Sequence, residues 1–217
     1  MVPRKANTPT LTRDQIVSAA MTIVDRDGLQ ALSMRKLAAE VGVGTMSLYY
    51  HVPDKSALYD LILDAGLREV DLTADDPGAA VETRVAGVAH AIRDALLNHP
   101  RAAIIAMSRS LRTTTQVRPV EKLLQILLDA GMAPAQAMQT VNVIGQYALG
   151  VTAMYASHID DSEYRDEREG DYTELTPEEF PAMFQVMEHP EGLGDWAADF
   201  EAGLSALIKG LVTDRIE

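Results

Sequence analysis

Apolar residues recur at helical spacing along almost the whole chain. Ile16, Val17, Ala19, Ala20, Ile23 and Val24 repeat at intervals of three and four, and Gly28 ends the run. Thr12 followed by Gln15 makes a capping box at its start. Ser33 caps a second, short segment, "MRKLAAEVG", stopped by Gly42, and "GTMSLYYHV" is a third. Asp54 caps a fourth, "KSALYDLILDAGLREV", which "TADDPGAA" breaks. Beyond it "AVETRVAGVAHAIRDALLNHP" and "RAAIIAMSRSL" read as helices, followed by the polar "RTTTQVRP". "PVEKLLQILLDAGM", then "PAQAMQTVNVIGQYALGVTAMYASH" with Pro134 in its first turn, then "PEEFPAMFQVMEH" and "DWAADFEAGLSALIKGLVTD" complete the series. "IDDSEYRDEREGDYTELT" is charged and without period, and reads as a surface loop. No stretch alternates with period two, so the expected class is all-α.

A short helix, a glycine-containing turn and a second short helix have helix-turn-helix spacing. Leu37, Ala38 and Val41 supply the buried side of the first, with Ala38 small where the two must approach. Val43 and Leu48 pin the second. That arrangement exposes Thr45, Met46 and Ser47, whose hydroxyls and thioether suit base edges and a thymine methyl. Tyr49, Tyr50 and His51 follow, with a phenol or imidazole for phosphates, although Tyr49 also suits packing beneath the helix. Lys55 stands at the start of the next helix, where the dipole reinforces its charge against a phosphate. The division is an arm over 1–11, a helix-turn-helix domain over 12–53, a connecting helix over 54–76 and a helical domain over 77–217.

Charge sharpens this division. Residues 1–60 hold 7 Lys+Arg against 6 Asp+Glu, while the rest hold 12 against 26. A small module near neutrality can face a polyanion although the chain carries −13 overall. The absence of cysteine excludes disulfides and thiolate chemistry. "MVPRKANTPTLTRDQ" has no apolar leader region, and no apolar run is long enough for a bilayer. A cytoplasmic protein without membrane association is expected.

The run "SMRKLAAEVGVGTMSLYYHVPDKSALYDLIL" resembles the DNA-binding domain of TetR-family transcriptional regulators, including the Leu-Tyr-aromatic-His stretch followed by a polar residue and Lys. "GQYALGVTAMYASH" and "DFEAGLSALIKGL" are similar to the last long helices of the tetracycline-repressor-like C-terminal domain. The resemblance implies that Arg35, Thr45, Met46 and Ser47 read bases, and that Ser33, Tyr49, Tyr50, His51 and Lys55 hold the backbone. Met34 is read as packing. One such module reads too few bases, so a homodimer on a palindromic DNA operator is expected. The resemblance places its interface on the last long helices, with Ile144, Ala148, Leu204, Leu207 and Leu211 giving burial and Gly145, Gly150, Ala202 and Gly203 allowing close approach.

The resemblance also implies a small-molecule effector that shifts the connecting helix, with Pro77-Gly78 as the hinge. The expected pocket residues are Ile92, Met107, Arg109, Met138, Asn142 and Gln146. Asn142 and Gln146 equally suit a core hydrogen bond or the dimer interface. Tetracycline repressors present histidines to a chelated magnesium, but the aligned positions here are Asp71, Ala106 and Ser157. A largely apolar organic effector is therefore expected, with no metal and no cofactor.

Two rivals remain at this stage. An enzyme needs a catalytic cluster, and the nearest is His158 with Asp160 and Asp161, beside the acidic 159–175 stretch. His90 and His99 lack carboxylates at helical spacing, and no zinc-protease, nucleophile-elbow or phosphate-loop motif occurs. A dimeric interaction module without DNA binding is the other, and Arg35, Lys36 and Lys55 speak against it.

Overall fold

The computed structural model describes residues 11–159, 175–189 and 195–216, and every regular element among them is helical. The longer ones are α1 (Arg13–Asp27), α2 (Met34–Val41), α3 (Thr45–His51), α4 (Lys55–Leu67), α5 (Val81–Asn98), α6 (Pro100–Met107), α7 (Thr114–Asp129), α8 (Pro134–Ile159), α9 (Pro181–Met187) and α10 (Trp196–Ile208). The acidic stretch, apart from its ends, lies outside the described residues, as do Asp160 and Asp161 and the side chain of His158.

The start of the chain folds as its caps dictate. Thr12 and Gln15 exchange backbone hydrogen bonds at the head of α1. Ser33 and Asp54 accept from Lys36 N and Ala57 N at the heads of α2 and α4. Ile16, Ile23, Leu37, Leu48, Val52 and Leu58 then meet in one fully buried centre. Gly42 ends α2 at φ 77°, a left-handed conformation that glycine adopts without a Cβ penalty. Val43 N donates to Ala38 O at 3.0 Å, closing the turn that aims α3.

α8 is the centre of the larger unit, with α5, α6, α7 and α10 packed upon it. Three boundaries differ from the sequence expectation. α4 ends at Leu67, short of the expected Val70 and within the connecting segment drawn over 54–76. Asp71 accepts from Thr73 N and Asp76 from Gly78 N, both at 2.8 Å, so these side chains hold turns in place of helix. α7 begins at Thr114, five residues before Pro119, because Thr113 and Gln116 form a capping box. α9 retains only seven residues. A π-helical turn over Lys209–Thr213 follows α10, where the buried Thr140 hydroxyl donates to Leu211 O, and a single helical turn over Asp214–Ile216 comes after it.

α8 and α10 approach closely through Gly203. A Cβ there would lie 2.0 Å from Tyr147 Oη. The same hydroxyl donates to Asp199 O at 2.8 Å and Phe200 O at 3.2 Å, and its ring stacks on Phe200. Gly203→Ala gains about 1 kcal/mol of helix propensity but overpacks the contact by about 1–3 kcal/mol. A net loss of about 1 kcal/mol is expected, read as a lower urea midpoint. Tyr147→Ala in the same chain should make the substitution stabilising instead.

Candidate nucleic-acid interface and its link to the helical core

The two short helices present one exposed tip. Arg35 is exposed and pairs with none of the described residues. Met46 is 83% exposed and Tyr50 89%, which a soluble core does not explain. Ser47 is exposed, Thr45 and His51 half-buried, and Tyr50 meets the His51 ring edge-on at 5.5 Å. Tyr49 is 42% exposed, so it serves packing and surface together. Met34 is buried. The Ser33 oxygen caps α2, which leaves its O–H to donate outward. Lys55 is half-buried, with its ammonium 5.4 Å from the Tyr59 ring centre.

Lys36 is differently employed. Its ammonium lies 2.9 Å from Asp27, and it holds that carboxylate below its ordinary range. Arg26 pairs with Glu40 at 3.0 Å. These two bridges tie α2 to α1, so Lys36 serves the fold of the tip rather than a ligand.

The tip is joined to the larger unit along α4. Ser56, Asp60 and Asp64 stand four residues apart and so form one stripe. Arg109 Nη2 donates to Ser56 Oγ at 2.6 Å and Asp60 Oδ1 at 3.1 Å. Arg112 Nη1 donates to Ser56 Oγ at 3.0 Å. Thr113 Oγ1 and Gln116 Nε2 both donate to Asp64 Oδ1. At the far end of α4, Glu69 accepts from Asn98 at 3.3 Å and meets His99 Nε2 at 2.8 Å. Gly66 faces Ala102 there, where an added Cβ would be 3.0 Å from the Ala102 Cβ.

The connector after α4 is also fixed. Asp75, 4% exposed, takes Arg84 Nε and Nη2 at 2.8 Å each and Lys122 Nζ at 2.6 Å. Arg84 and then Lys122 hold its carboxyl far below the usual carboxylate range. Pro77-Gly78 therefore sits in a turn beside an anchored residue.

The expected pocket residues do not gather round one space. Arg109 is spent on α4. Met107 is 61% exposed at the end of α6, and Ile92 is buried in the core. Met138, Asn142 and Gln146 form an exposed stripe on α8. A cavity of about 510 Å³ is walled instead by Arg93, Leu97, Val151, Tyr155, Trp196 and Phe200, among others. Nothing in the helical pattern singled these out, since each fits an ordinary core position.

The expected interface residues divide similarly. Ile144, Ala148 and Leu204 are buried within their own chain, so they cannot face a partner; Leu207 and Leu211 are half-buried. Asp71 is exposed and its carboxylate binds Thr73, while Ala106 is buried. Among the described residues no three His, Asp or Glu side chains are grouped to hold a metal ion, and no helix is long and apolar enough to cross a membrane.

Comparison with known proteins agrees with this architecture. The model of the tetracycline repressor-like C-terminal domain matches residues 74–215, and that of the bacterial regulatory proteins of the tetR family matches 16–68. An HTH-type transcriptional regulator of Saccharopolyspora erythraea is 34% identical over 94% of this chain and 85% of its own length. The HTH-type transcriptional repressor DrrR1 of Streptomyces coeruleorubidus is 34% identical over 68% of this chain and 55% of its own. The crystal structure of ActR from Streptomyces coelicolor in complex with actinorhodin superposes with a TM-score of 0.78 at 29% identity, covering 95% of this chain and 99% of that one. With its exposed helix-turn-helix tip and its strapped helical core, the chain belongs to the TetR family of transcriptional regulators.

Proposed function

We propose that the protein is a cytoplasmic repressor that binds a palindromic operator as a homodimer and is released by a small organic effector. It acts by binding, without catalysis. The observation that carries this is the exposed set Arg35, Met46, Ser47 and Tyr50, with half-buried Thr45 beside them, on a tip whose α4 is hydrogen-bonded to the helical core. A relative named as a repressor and a neighbour solved with a bound small molecule support it.

The dimer face we assign is the outer side of α8 and α10. On α8 it comprises Met138, Asn142, Gly145, Gln146 and Leu149, one stripe at helical spacing. On α10, Ala198, Ala202, Ser205 and Ala206 are exposed and small, which permits close helix approach. This moves the interface one face away from Ile144, Ala148 and Leu204.

The first test is selection of duplexes from a random DNA pool, with sedimentation of the same protein. A palindrome and a dimer are expected. No enriched site from a folded dimer would remove the repressor reading.

Within the selected operator, Arg35→Ala and Lys55→Ala should differ in kind. Arg35→Ala is expected to cost about 1–2 kcal/mol and to relax preference at one position per half-site. Lys55→Ala should weaken all sequences alike and lower the salt slope by about one per chain. Competition binding at two salt concentrations separates them. Equal affinity of both variants with the wild type would mean that the tip docks differently.

A further inference from the structure

The cavity between α5, α8 and α10 has a defined chemistry. Leu97 and Val151 give apolar wall, and Tyr155, Trp196 and Phe200 give aromatic wall. Tyr155 and Trp196 meet at a steep angle, with ring centres 6.5 Å apart. Arg93 is the cation, and its plane is fixed 4.6 Å over the Phe200 ring. Its Nε donates to Asp94 at 2.9 Å and its Nη1 to Glu201 at 2.8 Å. Its Nη2 donates to none of the described residues. The Thr152 hydroxyl is spent on Ala148 O, and Asp195 caps α10.

Charge selects the occupant. Arg93 already faces two carboxylates, and Asp195 adds a third acid to the rim. Glu201 is held below its ordinary range by His90 and Arg93, so it stays anionic. An entering carboxylate would meet this excess of negative charge and would have to displace Glu201. An uncharged oxygen can accept from the spare Nη2 without doing so. The volume of about 510 Å³ lies within the usual range for organic ligands.

We propose that this cavity is the effector site, and that it takes an uncharged, flat aromatic molecule with a carbonyl oxygen accepting from Arg93 Nη2. The proposal rests on the reading of the chain as an effector-responsive regulator. A route to the tip is at hand. Leu97 lines the cavity, and the next two residues, Asn98 and His99, hold Glu69 just beyond α4. An occupant pressing on Leu97 therefore acts one residue from the grip on the connecting helix.

Trp196 is the single tryptophan of the chain, so its emission reports on the wall itself. The probe is quinizarin, an uncharged dihydroxyanthraquinone, with anthracene-2-carboxylate as its anionic counterpart. Operator binding is established first, on the full chain. Quinizarin should then quench Trp196 saturably, and the carboxylate should bind more weakly. Arg93→Met should weaken quinizarin by roughly five- to tenfold, the worth of one hydrogen bond. Val151→Phe, which fills the space, should weaken it by more than about tenfold. Far-ultraviolet circular dichroism checks that both variants are folded. A saturable quench retained by both variants places the site elsewhere and overturns the proposal. So does the absence of quenching in a protein that binds its operator, a result that leaves the regulator reading intact. Quenching lost in both variants, in a protein that selects no operator, supports the ligand site and removes the regulatory reading.

Discussion

Asp75→Asn is expected to lower stability by about 3 kcal/mol, because it leaves two cations facing a neutral amide. For a chain of this size that is a fall in Tm of roughly 6–12 °C. The carboxylate is 4% exposed and holds Arg84 of α5 and Lys122 of α7 at once. The low end of the range applies because Lys122 keeps 23% of its surface in water. The amide retains the shape but offers one acceptor, and its NH₂ points donors at donors. Acid provides an independent check. The folded pKa lies far below the unfolded value of about 3.9. The contribution is thus complete above about pH 5 and is lost as pH falls below that value. The gap in Tm between wild type and variant should shrink between about pH 5 and pH 3. Glu69 and Glu201, whose values are also lowered, titrate in both proteins and cancel in the difference. A gap that stays constant over this interval would show that Asp75 is not charged in the way described.

The tip was legible in the sequence because local chemistry writes it. Thr12–Gln15, Ser33, Gly42 and Asp54 act on backbone groups within three residues of themselves, and each appears where its type predicts. Leu48 alone is buried on α3, so the remaining side chains of that helix had to be surface. Long-range pairing was not legible. Arg109 read as a polar residue on an apolar helix, which suits a pocket as well as a strap. Its partners Ser56 and Asp60 lie some fifty positions away. The repeat Ser56, Asp60, Asp64 stands in the sequence at helical spacing, but nothing in it says what covers that stripe of α4. The capping box Thr113–Gln116 was equally visible, and Pro119 hid it, since proline marks a helix start more often than a helix interior. Three of the expected interface residues are turned inward for a geometric reason. Ile144, Ala148 and Leu204 lie on the faces that their helices bury within the chain, and spacing alone does not say which apolar face a helix turns inward.

Arg109→Met is the variant that tests whether the strap transmits a signal. The guanidinium is 16% exposed and Asp60 19%, so the pair is largely withdrawn from water. Methionine keeps the length of the side chain and its contact with Tyr59, which lies 5.6 Å from the guanidinium. Breaking a buried pair from one side costs about 3–5 kcal/mol. Arg112, 4.0 Å from Asp60 Oδ2, partly takes over the charge, and the Arg109 Nε that has no partner is removed as well. A loss of about 2–3 kcal/mol is therefore expected. The effect on regulation has a separate origin. An effector alters operator affinity only through a differential interaction with two arrangements of α4. With the Arg109 contacts to Ser56 and Asp60 gone, the polar hold on that end of α4 rests on Arg112, while Asp64 and Glu69 keep their partners. The fraction of molecules with both tips correctly spaced falls, and operator affinity falls with it. The ratio of affinities with and without effector should fall towards one. Both are read by titrating a labelled operator with and without the bound effector, at a temperature well below the variant's Tm. A variant with lowered Tm but an unchanged ratio would make Arg109 a structural residue only, and would shift the coupling to the Glu69–His99 end of α4.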